Sequence, residues 1–178
     1  MKYDLIRSRR LNIESLERHK RTDAALREMV GWLNDITTMA HSEQRHMRHT
    51  VESQLIYIEM FQGDNILYGV YSNDNLIGTV STYVDKPNNI VNVGILIGDR
   101  GHWRQGFGFE AWKAVCDNQF KYKNRRKVEA GCAADNRAMM SICSHYGMTE
   151  EGRQDNHFLC AGIPVDLVHW GKFNEQSV

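Results

Sequence analysis

Gly106 and Gly108 sit where an apolar run gives way to a helical pattern, and the sequence first suggests chemistry there. The run is Ile90-Val91-Asn92-Val93-Gly94-Ile95-Leu96-Ile97, rich in β-branched residues and of strand length. A loop, Gly98-Asp99-Arg100-Gly101-His102-Trp103-Arg104-Gln105, separates it from Gly106-Phe107-Gly108-Phe109-Glu110-Ala111. There a helix opens, with Ala111, Val115 and Gln119 on one face and Trp112, Cys116 and Phe120 beside them. A strand, a glycine-bearing turn and a helix N-terminus together make an anion cradle. Glycine lets backbone approach closely, and the free N–H groups of the first helical turn point at the ligand. The expected ligand is a phosphate or pyrophosphate.

Two familiar phosphate fingerprints do not fit. No Gly-Lys-Ser/Thr follows the glycines, and Gly-Phe-Gly lacks the third glycine of a dinucleotide site. The wider stretch Trp103-Arg104-Gln105-Gly106-Phe107-Gly108-Phe109-Glu110-Ala111 instead resembles the acetyl-CoA pyrophosphate loop of the GNAT superfamily of N-acetyltransferases. That pattern is Gln/Arg-x-x-Gly-x-Gly/Ala, often followed by Glu-Ala. Trp103 stands here at the Gln/Arg position and Arg104 replaces a frequent glycine, while Gly106 and Gly108 keep what the backbone cradle needs.

A second patch agrees. Asn136-Arg137-Ala138-Met139 through Tyr146-Gly147-Met148 resembles the family's Asn-x-x-Ala/Ser-…-Gly-Phe/Met helix, and it follows an apolar strand at Lys127 to Cys132. Trp32-Leu33-Asn34-Asp35 and Thr50-Val51-Glu52-Ser53 are similar to the branch holding ribosomal-protein N-terminal acetyltransferases and bacterial amino-sugar N-acetyltransferases. The resemblance implies acetyl-CoA as cosubstrate. It places cofactor contacts at Ile95, Leu96 and Ile97, at Trp103, Arg104, Gln105, Gly106, Phe107, Gly108 and Phe109, and at Asn136 and Met139. It places the amine acceptor over Trp32, Asp35 and His41.

Amide formation from a thioester needs a neutral amine, a donor for the oxyanion and help for the leaving sulfur. A free amine with a pKa of about 8 to 10 is mostly charged at neutral pH. The resemblance implies an oxyanion donor among the backbone N–H groups of Ile95 to Ile97, with the pantetheine arm paired to the same strand edge. It implies a sulfur acid seven residues beyond Asn136, where this chain has Cys143. Cys143 reads either as that acid or as a small apolar residue packed on the sheet, and Tyr146, one turn on, reads the same two ways. Where some members carry a strand glutamate acting through water, this chain has Asn92, which takes no proton but can orient water or acceptor. The base is left open among Asp35, His41, His46 and His49. No nucleophile–base pair suggests a covalent route.

These groups need elements to hold them. A first strand is expected over Leu5 to Leu11. Leu26, Met29, Val30 and Leu33 predict a helix over Ala24 to Leu33, and Asp35 to His49 reads as loop or short helical pieces. Thr50 is a good N-cap for a helix carrying Val51, Leu55, Ile58 and Phe61. Strands at Ile66 to Tyr71 and Leu76 to Val84 flank the hairpin signal Ser72-Asn73-Asp74-Asn75, and Asp85-Lys86-Pro87-Asn88 turns into the cofactor strand. After the Asn136 helix come strands at Thr149 to Arg153 and His157 to Cys160. A turn at Gly162-Ile163-Pro164 then leads to a last strand, Val165 to Trp170. The expected fold is α/β of the α+β kind: one GNAT-like domain over residues 1–178, with a mixed, mostly antiparallel twisted sheet flanked by helices.

Composition sets the remaining bounds. Formal net charge is zero, so no global field draws in nucleic acid or an anionic membrane. The basic run Lys121 to Lys127 reads as a solvated loop. Cys116, Cys132, Cys143 and Cys160 are scattered without a Cys-x-x-Cys pair, which argues against both zinc and a disulfide framework, and no metal is expected. No apolar N-terminal segment or membrane-length run is present, so the chain reads as cytoplasmic. The first reading is an acetyl-CoA-dependent N-acetyltransferase. Its acceptor is an amino sugar carried on a nucleotide or a protein N-terminal amine, its partners exclude nucleic acid and membrane, and a homodimer is allowed. The second reading is a non-catalytic acyl-CoA-binding module on the same fold.

Overall fold

The first strand expected from the sequence is a hairpin. In a computed structural model that describes residues 5–16 and 22–175, β1 (Leu5–Arg7) pairs antiparallel with β2 (Asn12–Ser15). The N–H of Ser8 bonds to the Leu11 carbonyl at 3.0 Å and closes the turn. Exposed Arg9 and Arg10 take the corner, while Ile6, Leu11 and Ile13 go to the core. α1 (Asp23–Leu33) is capped by the Thr22 hydroxyl, which accepts from the N–H of Ala25. Its buried Leu26, Met29 and Leu33 follow helical spacing. Residues 35–49 form turns and a short 3₁₀ helix, Glu43–His46, capped by Ser42. α2 (Val51–Glu59) opens on a capping box between Thr50 and Ser53. Phe61, expected inside that helix, lies beyond it because the chain turns at Met60.

β3 (Ile66–Ser72) and β4 (Asn75–Asp85) are joined by Asn73 and Asp74 at φ 47° and 63°. Two left-handed residues in a two-residue loop match the twist of a hairpin. β5 (Ile90–Ile97) returns along β4. α3 (Phe107–Lys121), β6 (Lys127–Ala133) and α4 (Arg137–Tyr146) follow, and Gly147 at φ 79° ends α4. β7 (Thr149–Cys160) is one strand where two were expected, interrupted by a register shift between Gln154 and Phe158. β8 (Ile163–Phe173) starts earlier than expected because left-handed Ala161 and Gly162 make the turn, which leaves Ile163 and Pro164 in the strand.

The eight described strands form one sheet, ordered β1-β2-β3-β4-β5-β6-β8-β7, so the last strand is inserted between β6 and β7. Every pairing is antiparallel except β5 with β6. One face packs α3 and α4 over Tyr68, Val70, Val91, Val93 and Val128. The other packs α1 and α2 over Leu67 and Leu76. Helices on both faces of a mostly antiparallel sheet give the expected mixed α/β fold. The basic loop before β6 is tied down: Arg125 reaches Asn89 and Asp64, and Lys127 pairs with Glu129 and Glu151.

Candidate active site

The parallel contact between β5 and β6 is short. Ile90, Val91 and Asn92 pair with Lys127, Val128 and Glu129, and no pairing between the two strands follows. Beyond Asn92 the strands part, leaving a cleft along the second half of β5. The Gly98 N–H donates to the Ile77 carbonyl on β4. Because main-chain groups alternate along a strand, Leu96 and Gly94 also face β4, and Val93, Ile95 and Ile97 face the cleft. The indole N–H of Trp103 donates to the Ile97 carbonyl at 2.7 Å, which agrees with that alternation and ties the following loop to the strand end.

The loop then enters α3. Asp99 accepts from the Gly101 N–H at 2.8 Å and lies 2.7 Å from the His102 ring, fixing the first turn. Arg104 and Gly106 take left-handed conformations, φ 59° and 81°. Gly106 is the N-cap residue and no side chain caps α3, so the first-turn N–H groups have no capping acceptor. A Cβ on Gly108 would lie 3.5 Å from Ile142 and 3.6 Å from Ile97, so this turn packs closely on α4 and β5.

Arg10, in the β1–β2 turn, braces the cradle. Its Nε donates to Glu110 at 2.7 Å, its main-chain N–H to the same carboxylate at 2.7 Å, and its guanidinium to the Gln105 carbonyl at 3.0 Å. Ser8 donates to Glu110 at 2.8 Å, and the guanidinium stacks 4.0 Å from the Phe107 ring centre. Partial burial alone would raise the Glu110 carboxyl, but hydrogen bonds from Ser8 and Arg10 outweigh it and hold it below its ordinary value.

A cavity of about 190 Å³ opens on the α1/α2 face, against Gly94, Ile95 and Leu96 of β5. Its other walls are apolar (Met29, Leu33, Met39, Leu67), aromatic (Trp32, Tyr57) and neutral polar (Ser42, Gln44, Gln54, Thr79, Ser81). The Tyr57 hydroxyl lies 3.0 Å from that of Tyr83, and burial, then that partner, pushes its pKa up. Trp32 packs flat on Gly98, where a Cβ would come within 1.9 Å of the indole.

Of the residues expected to bind the acceptor, Trp32 lines this cavity and Asp35 and His41 do not. The Asp35 carboxylate accepts from the Thr38 N–H at 2.7 Å and pairs with Arg100 at 3.3 Å. The Thr38 bonds first, then Arg100, hold its pKa below the ordinary carboxylate value. His41 lies 3.2 Å from Asp135, so the 35–49 segment reaches across to the start of α4. Buried His49 is a structural pin: its ring meets the Gln44 carbonyl at 3.1 Å, and its main chain exchanges two bonds with the Asn34 side chain. His46 is exposed. None of these four candidate bases lines the cavity.

Asn136 caps α4 by accepting from the Met139 N–H at 3.1 Å. Met139, Cys143 and Tyr146 share the buried face of α4. Cys143 is fully enclosed, and burial, with Cys132 nearby, pushes its thiol up to about 12. The Tyr146 hydroxyl donates to Asp117 at 2.9 Å, and burial first, then Cys116 and Asp117, raise its pKa. Asp117 is about 15 Å along α3 from Phe107, at 1.5 Å per residue. Tyr146 is therefore held away from the cradle. Asn92 is exposed and is not among the residues lining the cavity. Among the described residues no group of three or more His, Cys, Asp or Glu could hold a metal ion, and no helix is long and apolar enough to cross a membrane.

Sequence reasoning missed Gln54, Thr79 and Ser81. The first had a signal, a polar residue four positions before Ile58 on the inner face of α2. The other two had a weaker one, the two-residue spacing along β4. The bracing of Glu110 by Arg10 had none, since the two lie one hundred positions apart.

The family description "Acetyltransferase (GNAT) domain" matches residues 10–149. No curated protein matches the chain. Among solved structures, spermidine N-acetyltransferase from Vibrio cholerae, in complex with CoA and spermine, is 19% identical with a TM-score of 0.81, covering 96% of this chain and 99% of that one. RimL, a ribosomal L7/L12 α-N-protein acetyltransferase in complex with coenzyme A, is 14% identical at 0.81, covering 96% and 98%. A GNAT-family acetyltransferase from Bacillus anthracis is 17% identical at 0.79, covering 97% and 99%. At these identities the likeness is one of fold.

Proposed function

The chain belongs to the GNAT acetyltransferase family, and on that premise we propose that it transfers the acetyl group of acetyl-CoA to a primary amine by direct attack in a ternary complex. The observation that carries this reading is the parting of β5 from β6 beside the uncapped N-terminus of α3. A free strand edge and a turn of unclaimed N–H groups fit the pantetheine arm and the pyrophosphate respectively. We assign the arm to Ile95, Leu96 and Ile97 with Asn136 and Met139. The pyrophosphate falls to the stretch Trp103 to Phe109, its backbone led by Gly106 and Gly108.

When bound, acetyl-CoA supplies an activated acyl carbon. The amine attacks it, a C–N bond forms, the C–S bond breaks with its electrons to sulfur, and the amine sheds one proton to water. The cleft-facing N–H groups of Ile95 and Ile97 are the donors for the oxyanion. Neither Cys143, sealed in the core, nor Tyr146, tied to Asp117, is required as an acid, because a coenzyme thiolate already leaves well at neutral pH. Asn92, exposed at the last paired position before the cleft, is assigned to orienting water at its mouth. The acceptor is a protein N-terminal amine, as the likeness to the RimL fold supports, or an amino sugar on a nucleotide.

A thiol-release screen across peptide N-termini, amino sugars and polyamines tests the reading. Release that depends on both acetyl-CoA and amine is expected. Tight acetyl-CoA binding with no turnover on any amine would replace the transferase by an acyl-CoA-binding module.

A further inference from the structure

The cavity beside β5 has a polar wall at Gln54. Gln54 is only 3% exposed, and it lines the cavity. A side-chain amide on a cavity wall can both donate to and accept from an occupant. Thr79 and Ser81 present two hydroxyls from the β4 floor beside it. Gly94 keeps that floor open, since a Cβ there would come within 2.7 Å of the Ser81 hydroxyl. No residue lining the cavity is ionisable at neutral pH, and Tyr57 is pushed still further from ionisation.

Resting on the transferase reading for the role of the cavity, we propose that this is the acceptor site and that it selects a primary amine borne on a compact, uncharged, hydrogen-bonding end of the acceptor. Gln54 recognises that end, an amide or a hydroxyl, and is the specificity-determining residue. A cavity of about 190 Å³ takes the amine-bearing end of an acceptor. Electrostatics sets the charge. A second ammonium group buried here would meet no carboxylate, and an unpaired buried charge is costly. The spermidine acetyltransferase of the same fold holds spermine, a polycation for which this lining offers no counter-charge. The same neutrality explains why no candidate base lines the cavity. Removing an ammonium from water favours its neutral form, so the site itself helps to make the nucleophile.

The test measures binding by calorimetry in the presence of coenzyme A, and turnover with acetyl-CoA, for three probes. L-serinamide stands for a peptide N-terminus, D-glucosamine for an amino sugar, and spermidine for a polyamine. Serinamide or glucosamine is expected to bind at least about 100-fold more tightly than spermidine, and which of the two leads identifies the source. Gln54→Leu should weaken the leading probe about 2- to 12-fold, the worth of one net hydrogen bond, with acetyl-CoA affinity unchanged. Gln54→Glu, nearly the same size, should shift preference towards spermidine. Spermidine binding as well as the neutral-bodied amines, or both Gln54 variants behaving as wild type, would overturn the assignment. Binding of serinamide or glucosamine without acetyl transfer supports the cavity assignment while removing the transferase reading.

Discussion

Glu110→Ala removes the acceptor on which the β1–β2 turn and the cradle converge. The carboxylate takes three donors: the Ser8 hydroxyl, the Arg10 N–H and the Arg10 Nε. Hydrogen bonds to a charged group contribute about 1.5–3 kcal/mol each where water is excluded. Arg10 is 38% exposed, so its ion pair is discounted to about 0–1 kcal/mol by solvent screening. The main-chain and Ser8 bonds lie at the protein edge and do not add fully, so the expected total loss is about 2–4 kcal/mol. For a domain of this size that lowers the melting temperature by about 4–16 °C, at 2–4 °C per kcal/mol. The loop loses its brace as well, since Arg10 no longer stays on the Gln105 carbonyl and the Phe107 ring, so acetyl-CoA affinity should fall while acceptor affinity holds. The pH dependence has a definite sign. The folded carboxyl titrates below its unfolded value, so its stabilisation is complete above about pH 4.3 and is lost as pH falls through the lower folded value. Thermal melts from pH 3 to 7 and calorimetry with acetyl-CoA read both effects. If Glu110→Ala melts within a degree of wild type, or if its deficit does not shrink towards pH 3, the bracing argument is refuted.

Asn136→Ala should lose about 1 kcal/mol of cap energy, whereas Asn136→Asp keeps the cap and changes only the amide. A melting temperature restored by Asp without restored acetyl-CoA KM places the amide on the cofactor. Restoration of both makes Asn136 a cap alone. Cys143→Ala should keep kcat within about threefold and cost about 1–3 kcal/mol as a core change. Tyr146→Phe should likewise spare kcat, and a ~10²-fold drop in either variant would restore that residue as the sulfur acid. With no titrating group lining the cavity, log kcat/KM for serinamide should rise with unit slope to about pH 7.7–8.0, the range of an α-amine, and then level. A second break near pH 6.5 would show that a histidine takes part after all.

The cofactor half of the fold was legible because its signals are local. Strand, loop and helix from Ile90 to Lys121 follow from β-branched runs, from glycine and from helical spacing, and Thr50 and Asn136 cap the helices they precede. The β1–β2 corner was misread because a single strand and a hairpin of this length share nearly the same alternation. Only the burial of both Ile6 and Ile13 against a common core separates them. β7 was split around the polar Gln154-Asp155-Asn156, yet the strand continues past Asn156, held at φ 53°, and pairs with β8 again from Phe158. The cavity on the α1/α2 face was legible only at Trp32. Its other polar walls come from α2, β4 and the 35–49 segment, and no local pattern records that three such elements meet. The placement of Cys143 and Tyr146 depended on which way α4 turns, and its amphipathic face sends both into the core.

The insertion of β8 between β6 and β7 sets an order of assembly during synthesis. β7 leaves the ribosome before the strand that is its sole partner in the sheet, and β6 waits for the same strand on one side. Until Ile163–Phe173 emerges, the wall of the cleft opposite β5 has one unfilled edge. The N-terminal part has no such insertion, since β1 to β5 pair in sequence order, with α1 and α2 carried between β2 and β3. The chain is therefore built to pair β1 to β5 early and to close the β6 side of its sheet last. Nascent chains stopped before Ile163 should bury the β1–β5 core without acquiring affinity for acetyl-CoA.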